Sequence, residues 1–285
     1  LQGKIIIYMP NVLEIKTVQI APFRTLMTAL KDILLETNIT FSQETTDEKG
    51  NIIPAGIRII NMDKSHTILA HLFLDAVKFE HYYCKYPKII VGVNMFHLFK
   101  LINTIDNDDT LTIYIDEEWY SDGVVEFLGL KFENGDIQQC KNQELKLIEP
   151  DDEELDLPKN ISFSSIINLP SQDFQKIIRD LSNISERLEI KSVGSELIFK
   201  CQGPFATCTV RREESEGGME IIEKPDSNVI IQGEFSLKNL GYFIKCTNLC
   251  SSIEMFLEND LPVIVKYSVA SLGEIKLCLA PLPPN

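Results

Sequence analysis

The residues best spaced for chemistry are Asp106, Asp108, Thr110 and Glu117, which fall at positions 1, 3, 5 and 12 of a calcium loop. Such a loop gathers hard oxygen donors around the ion, but it needs a glycine at its sharp turn, and Leu111 stands there instead. The stretch 110–115 also alternates like a strand, so the loop is not expected to form. Asp151, Asp152, Glu153 and Glu154 could hold a cation loosely, yet four adjacent carboxylates are more simply a solvated linker. His66, His71, His81 and His97 form neither a helical i, i+4 pair nor an H-E-x-x-H site. A nucleophile elbow and a phosphate-binding Walker loop are missing as well. The expectation is a protein without catalytic residues, metal or cofactor.

Charge is the more telling chemistry. Across 285 residues, 42 acidic side chains against 27 basic ones leave a net −15, which argues against coating nucleic acid over the whole surface. Basic residues nevertheless recur on the polar faces of four amphipathic segments: Arg24, Lys31, Lys100, Lys176, Arg179, Lys238 and Lys245. Solvation alone accounts for any one of them. Together they fit helices that face one polyanion, and the salt dependence of binding separates the two readings. No apolar run is long enough to span a membrane, and the N-terminus lacks a signal-peptide layout. Seven scattered cysteines without C-x-x-C spacing suit a reducing compartment, where the sequons at Asn38, Asn160 and Asn183 carry no weight.

Those side chains need positioning elements. A strand is predicted over 12–20 and a helix opening at Pro22, whose apolar stripe is Phe23, Leu26, Met27, Leu30, Ile33 and Leu34. A polar loop insertion follows over 45–56, then strands over 57–61, 67–74, 80–85 and 89–93. A second helix is predicted over 95–104 with Met95, Leu98, Leu101 and Ile102 inward, then strands over 111–115, 124–132 and 138–147. The second half repeats this plan. Phe174, Ile177, Ile178, Leu181 and Ile184 reproduce the first helix stripe at an offset of 151, from 23 to 174. Leu237, Leu240, Phe243 and Ile244 reproduce the second at an offset of 142, from 95 to 237. The domains expected are therefore 12–145 and 161–285, with 1–11 an N-terminal extension or cloning remnant.

The segment 146–160 joins them. Its acidic run and its prolines, Pro150 and Pro158, predict an exposed, extended connector. Leu155 and Leu157 do not fit a plain linker, because leucines in a solvated strand should pack underneath or await a partner.

In order and spacing, several pieces of this chain resemble the proliferating cell nuclear antigen family of DNA sliding clamps: Ala29-Leu30-Lys31-Asp32, Asn61-Met62-Asp63-Lys64-Ser65-His66, Val91-Gly92-Val93-Asn94, Arg179-Asp180-Leu181-Ser182 and the ending from Leu261-Pro262-Val263 to Leu279-Ala280-Pro281. The resemblance is divergent and fits a viral clamp as well as a cellular one. It implies an α+β fold of two similar clamp domains, with sheets outside and two helices per domain lining a channel in a head-to-tail trimeric ring. It implies that the strand over 138–147 pairs with 206–212 of the next subunit, with Arg211 and Arg212 meeting a neighbour's acids. It assigns Arg24, Lys31, Lys100, Lys176, Arg179, Lys238 and Lys245 to the duplex, with Asn103 where the family carries another lysine. It assigns Met62, His66, Leu69, Leu155, Leu157, Pro158, Pro262, Ala280 and Pro281 to a pocket for client peptides, with Cys278 replacing an aromatic and Thr67 an aliphatic residue. The implied partners are double-stranded DNA held topologically, two further copies of the chain, a polymerase and other peptide-bearing enzymes, and a clamp loader. The implied site of action is the nucleus, or a cytoplasmic replication compartment for a virus. Competing readings are a monomeric DNA-binding processivity or scaffold protein, and a metal-dependent nuclease whose cleavage EDTA would abolish.

Overall fold

The computed structural model describes residues 11–47, 50–151, 155, 161–225 and 229–283. Leu157, Pro158 and residues 1–10 of the predicted 1–11 extension lie outside the described residues, while Asn11 belongs to the first strand. Leaving aside two-residue bridges, the first half runs β1 (Asn11–Thr17), α1 (Ile20–Ile33), β2 (Glu36–Ser42), β3 (Gly56–Met62), β4 (Ile68–Asp75), β5 (His81–Cys84) and β6 (Lys88–Asn94), then α2 (Met95–Ile102), β7 (Thr110–Asp116), β8 (Phe127–Asn134) and β9 (Gln139–Lys146). The second half runs β10 (Ser165–Pro170), α3 (Ser171–Ser182), β11 (Arg187–Val193), β12 (Glu196–Gln202), β13 (Thr207–Glu213), β14 (Glu220–Glu223) and β15 (Ile230–Ser236), then α4 (Leu237–Phe243), β16 (Ser252–Leu257), β17 (Val263–Val269) and β18 (Gly273–Leu279). Each half is one strand, a helix, five strands, a helix and three strands. The repeat read from the helix stripes thus extends to the order of every element.

The described residues pack into two compact units. One comprises those up to Arg24, Glu36–Ile59 and the stretch from Phe73 to the start of the connector; the other takes Thr25–Leu35, Ile60–Leu72 and everything from Leu155 onward. In the first, one sheet has the order β9-β8-β7-β1-β5, and β2 pairs with both β6 and the start of β3. In the second, one sheet runs β14-β10-β16-β17-β18 and continues to β4, while another runs β13-β12-β11-β15. Strands such as β4 and β11 alternate buried and half-buried residues, because one face of each sheet packs inward and the other is partly covered.

The helix stripes fill the cores. Phe23, Leu26, Met27, Leu30, Ile33 and Leu34 are all buried, as are Phe174, Ile177, Ile178 and Leu181. The corresponding helices α2 and α4 are capped at corresponding positions: Asn94 accepts from the His97 N–H at 3.1 Å and Ser236 from the Asn239 N–H at 3.3 Å. Each such cap contributes about 0.5–2 kcal/mol.

Local departures from expectation have local causes. α1 starts at Ile20, which leaves Pro22 inside the first turn, where a missing N–H costs nothing. α3 ends at Ser182, because Asn183 and Ile184 close a tight turn with their N–H groups on Asp180 and Leu181, so Ile184 lies beyond the helix. Ile244 opens a 3₁₀ turn (Ile244–Leu249) after α4, and Leu101 is only half-buried. The predicted polar loop at 45–56 holds a short ladder of Thr45 and Thr46 against Ile53 and Ile52. The single predicted strand over 124–132 is broken before Phe127, and Thr110–Asp116 is a strand where a calcium loop would need a turn.

Candidate functional site: cationic helix faces, a turn at the sheet end and two open edges

Three surfaces bear on function, and the first is cationic. In the second unit, α3 packs against α4 and the 3₁₀ turn after it. Lys176, Arg179, Lys238 and Lys245 are exposed on these elements, and Lys176, Arg179 and Lys238 make no ion pair among the described residues. Lys31, near the end of α1, is half-buried and pairs with Asp32 at 2.7 Å; the ammonium of Lys245 reaches the other oxygen of the same carboxylate. Desolvation by itself would raise the Asp32 carboxyl, but hydrogen bonds from Lys245 and Lys31 hold it below the usual range. Two of the predicted cations therefore share one anion. In the first unit Lys100 is exposed and lies 4.5 Å over the Phe96 ring, while Arg24 is half-buried and donates to the carbonyl of Ile105. Arg24 is thus spent partly on its own chain.

The second surface is a turn at one end of a sheet in the second unit. Asp63 organises it. Its carboxylate accepts from the N–H groups of Ser65 at 3.2 Å, Thr67 at 2.8 Å and Ile68 at 2.7 Å. Burial pushes this carboxyl up, and the hydrogen bonds from Ser65, Ile68 and Thr67 more than reverse it. His66 sits exposed at the apex with φ +54°, a left-handed value that short polar side chains and histidine tolerate better than most. The Ala280 N–H donates to the Thr67 carbonyl at 3.0 Å, and the Asn239 amide donates to the Thr67 hydroxyl at 3.2 Å. The Ala280–Thr67 bond brings Ala280 to the predicted turn, and Pro262 immediately precedes β17, whose Val263 pairs with Leu279 of β18.

Leu69, Ile264 and Cys278 alternate with buried neighbours and so lie on the outward faces of their strands, and burial pushes the Cys278 thiol up to about 11. Met62, Leu69, Leu155, Pro262 and Ala280 are half-buried, and His66 and Pro281 are exposed. A groove of about 910 Å³ lies beside Pro281 and is lined by Leu261, Leu282, Pro283, Arg187 and Glu234; of the predicted pocket residues, Pro281 alone lines it.

The connector's start is fixed in the first unit by residues whose role the sequence reading missed. Ile148 donates to the Gly92 carbonyl at 3.0 Å, and a Cβ on Gly92 would stand 2.6 Å from the Ile148 oxygen. Asn38 clasps Asp151 from both sides, its amide donating to the carbonyl at 2.6 Å and its oxygen accepting the N–H at 3.0 Å. A glycine inside a strand pattern is the available signal for Gly92, since it marks close backbone approach. For Asp63 the signal is an aspartate two residues before a serine and four before a threonine, the makings of a side-chain-capped turn. Asn38 carried no such signal, because its partner lies more than 100 residues away.

The third surface is a pair of open edges. β9 and β13 each end their sheet, bonded on one side only among the described residues. The Leu147 N–H donates to Glu126 at 3.0 Å in the β8–β9 register, so alternate rungs carry the inner bonds and Cys140, Asn142 and Glu144 direct their backbone groups outward. By the same count from the Gly203–Ala206 bond, Thr207, Thr209, Arg211 and Glu213 of β13 direct theirs outward. Arg211 and Arg212 meet acids of their own chain, Glu196 at 3.1 Å and Asp173 at 3.2 Å.

With this geometry in view, comparisons with known proteins are specific. The model of the proliferating cell nuclear antigen N-terminal domain matches residues 12–154, and that of its C-terminal domain matches residues 158–282. The chain is 31% identical over 277 residues to the "Probable DNA polymerase sliding clamp 1" of Paramecium bursaria Chlorella virus 1, covering 95% of this chain and 98% of that one. It is 35% identical over 239 residues to the "Probable DNA polymerase sliding clamp" of Acanthamoeba polyphaga mimivirus, covering 84% of this chain and 49% of that protein, so it spans about half of the mimivirus relative.

Proposed function

This chain belongs to the proliferating cell nuclear antigen family, and from that premise we propose that it is a DNA polymerase sliding clamp that encircles duplex DNA as a head-to-tail homotrimer without catalysing a reaction. The observation that carries the reading is the doubled fold plan, which leaves two complementary edges open. Within one chain, β18 ends the second half and finds β4 as its neighbour. β9 is the counterpart of β18 and β13 the counterpart of β4 in the repeat, and neither has a neighbour on its outer side among the described residues. Pairing β9 of one chain with β13 of the next repeats the β18–β4 seam, and repeated heterologous contacts of this kind close into a ring when the rotation closes. Closure also removes two edges that would otherwise template aggregation.

In such a ring the cations need only centre the duplex. Lys100, Lys176, Arg179 and Lys238 are free to do so, whereas Lys31 and Lys245 first have to share Asp32. Few and weak phosphate contacts suit sliding, and the net −15 discourages binding at other surfaces. Client enzymes dock short peptides against Met62, His66, Leu69, Pro262, Ala280 and Pro281, with Leu155, Leu157 and Pro158 of the connector as the other lip, and they can add a strand beside the C-terminal segment. The clamp domains are 12–145 and 161–285, joined by the 146–160 connector, and a loader opens the ring. The same reading puts the protein at the site of DNA replication, in the nucleus or a viral cytoplasmic compartment; no described helix is long and apolar enough to cross a membrane.

Light scattering tests the ring. The expected mass is about three times the 32.4 kDa chain, with stimulation of polymerase processivity on primed circular DNA; a single-copy mass at all concentrations would sink the ring and favour a monomeric processivity protein.

A further inference from the structure

Cys201 of β12 and Cys208 of β13 stand directly opposite each other. The Gly203 N–H donates to the Ala206 carbonyl at 2.9 Å in the same register, so two residues along each strand the cysteines occupy a hydrogen-bonded rung too. Cα atoms on such a rung are about 5.5 Å apart, inside the range that a disulfide spans. Directly opposed residues also share a face of the sheet. The alternation agrees: Leu197, Phe199 and Cys201 are buried, and Cys208, Val210 and Arg212 opposite them are half-buried.

Geometry and exposure favour this pair over the other thiols. Cβ atoms on a hydrogen-bonded rung lie at the wide end of the cross-strand range, about 5.5 Å apart, and have to close to about 3.8 Å, a shift that falls on β13, bonded on one side only within its own chain among the described residues. Cys140 faces Glu133 and Cys278 faces Ile264, so neither has a cysteine across the ladder. Cys84 faces Leu13, and Cys246 and Cys250 lie in and just after the 3₁₀ turn, off any strand ladder. Within the pair the roles differ, since Cys201 is 2% exposed while Cys208 is half-exposed and meets a solvent oxidant first.

We propose that Cys201 and Cys208 are an oxidisable pair that a peroxide closes into a cross-strand disulfide, stapling the open edge strand β13 to β12. Cys208 releases its proton to solvent and the thiolate attacks one oxygen of hydrogen peroxide; the O–O bond breaks, leaving a sulfenic acid and a hydroxide that takes a proton back from solvent to become water. The Cys201 sulfur then attacks the Cys208 sulfur, the S–S bond forms as the S–O bond breaks, and the departing hydroxide leaves as water with the Cys201 proton. Two thiols are oxidised and one peroxide is reduced to two waters. The importance of β13 for assembly rests on the ring proposed above; the disulfide does not.

The experiment treats the full chain with hydrogen peroxide, alkylates the remaining thiols under denaturing conditions and maps the peptides by mass. A linked Cys201–Cys208 peptide is expected, lost on dithiothreitol treatment and absent from Cys208→Ser, whose half-exposed site keeps the fold. Recovery of Cys208 as a sulfinic acid or an alkylated thiol with Cys201 alkylated, or linkage of other cysteines instead, overturns the proposal. Because the readout comes from denatured chain, it stands or falls independently of the ring.

Discussion

β18 and β9 are the same strand of the fold plan in two settings. Each follows two antiparallel neighbours after a capped helix, yet among the described residues β18 is flanked on both sides and β9 on one. Their side chains record the difference. β18 alternates cleanly, with Ile275, Leu277 and Leu279 buried; β9 buries Leu145 and leaves most of its length wet, as β13 does. A strand bonded on both sides has its backbone groups satisfied within the chain, whereas one bonded on a single side leaves a row of groups that another chain can pair.

The largest expected effect comes from the flanked strand. Leu277→Ala should cost about 2–5 kcal/mol of chain stability through the cavity it leaves, read as a urea midpoint below the wild type's by the same amount at every protein concentration. A midpoint that rose with concentration back to the wild-type value would mean that β18 is stabilised by assembly and would erase the contrast.

Asn142→Pro attacks the open edge at a residue whose N–H points outward, so the inner ladder is spared. The chain should keep its fold while light scattering reports a loss of the trimer; a ring that survives would remove β9 from the interface. Thr209→Pro is the equivalent change on β13.

Gly92→Ala should cost about 1–3 kcal/mol as the new methyl meets the Ile148 and Glu149 carbonyls. Faster hydrogen exchange at the Ile148 amide is the readout, and unchanged protection would show that the connector's start is not held there.

Acid separates the Asp63 turn from the edges. Asp63 and Asp32 both lie below the ordinary carboxylate range in the folded chain. Their stabilisation is therefore complete above the unfolded value and is lost as pH falls through the lower folded value. Asp63→Asn should be less stable than the wild type at neutral pH and converge with it in strong acid; a constant difference at every pH would deny the linkage.

The smallest effect is on DNA. Lys176→Glu should weaken duplex binding and lower the salt slope by more than the roughly 0.9 of one lost phosphate contact. Lys245→Glu should do less, because Asp32 already neutralises that ammonium. Equal effects would mean that the Asp32 pair opens on DNA.

Much of this was legible in residue order. The helix stripes with their offsets of 151 and 142 pointed to the doubled plan, and the stripe Phe23, Leu26, Met27, Leu30 and Ile33 is buried on α1, where Ile20 and Ala29 are buried beside it without having been read from the spacing. The polar faces named the candidate cations, because an amphipathic helix fixes which side its lysines occupy. What they do there was not legible. That Lys31 and Lys245 converge on Asp32 joins residues more than 200 positions apart, and Arg24 finds a backbone carbonyl that no pattern marks.

Sequence by itself therefore determined the local choices, namely element type, buried face and the doubling of the plan, since period and capping act within a few residues. Tertiary structure decided the pairings: which strand gains a second neighbour, which lysine is already neutralised, and which glycine admits the connector. Those depend on long-range register and close approach, and spacing along the chain carries no information about either.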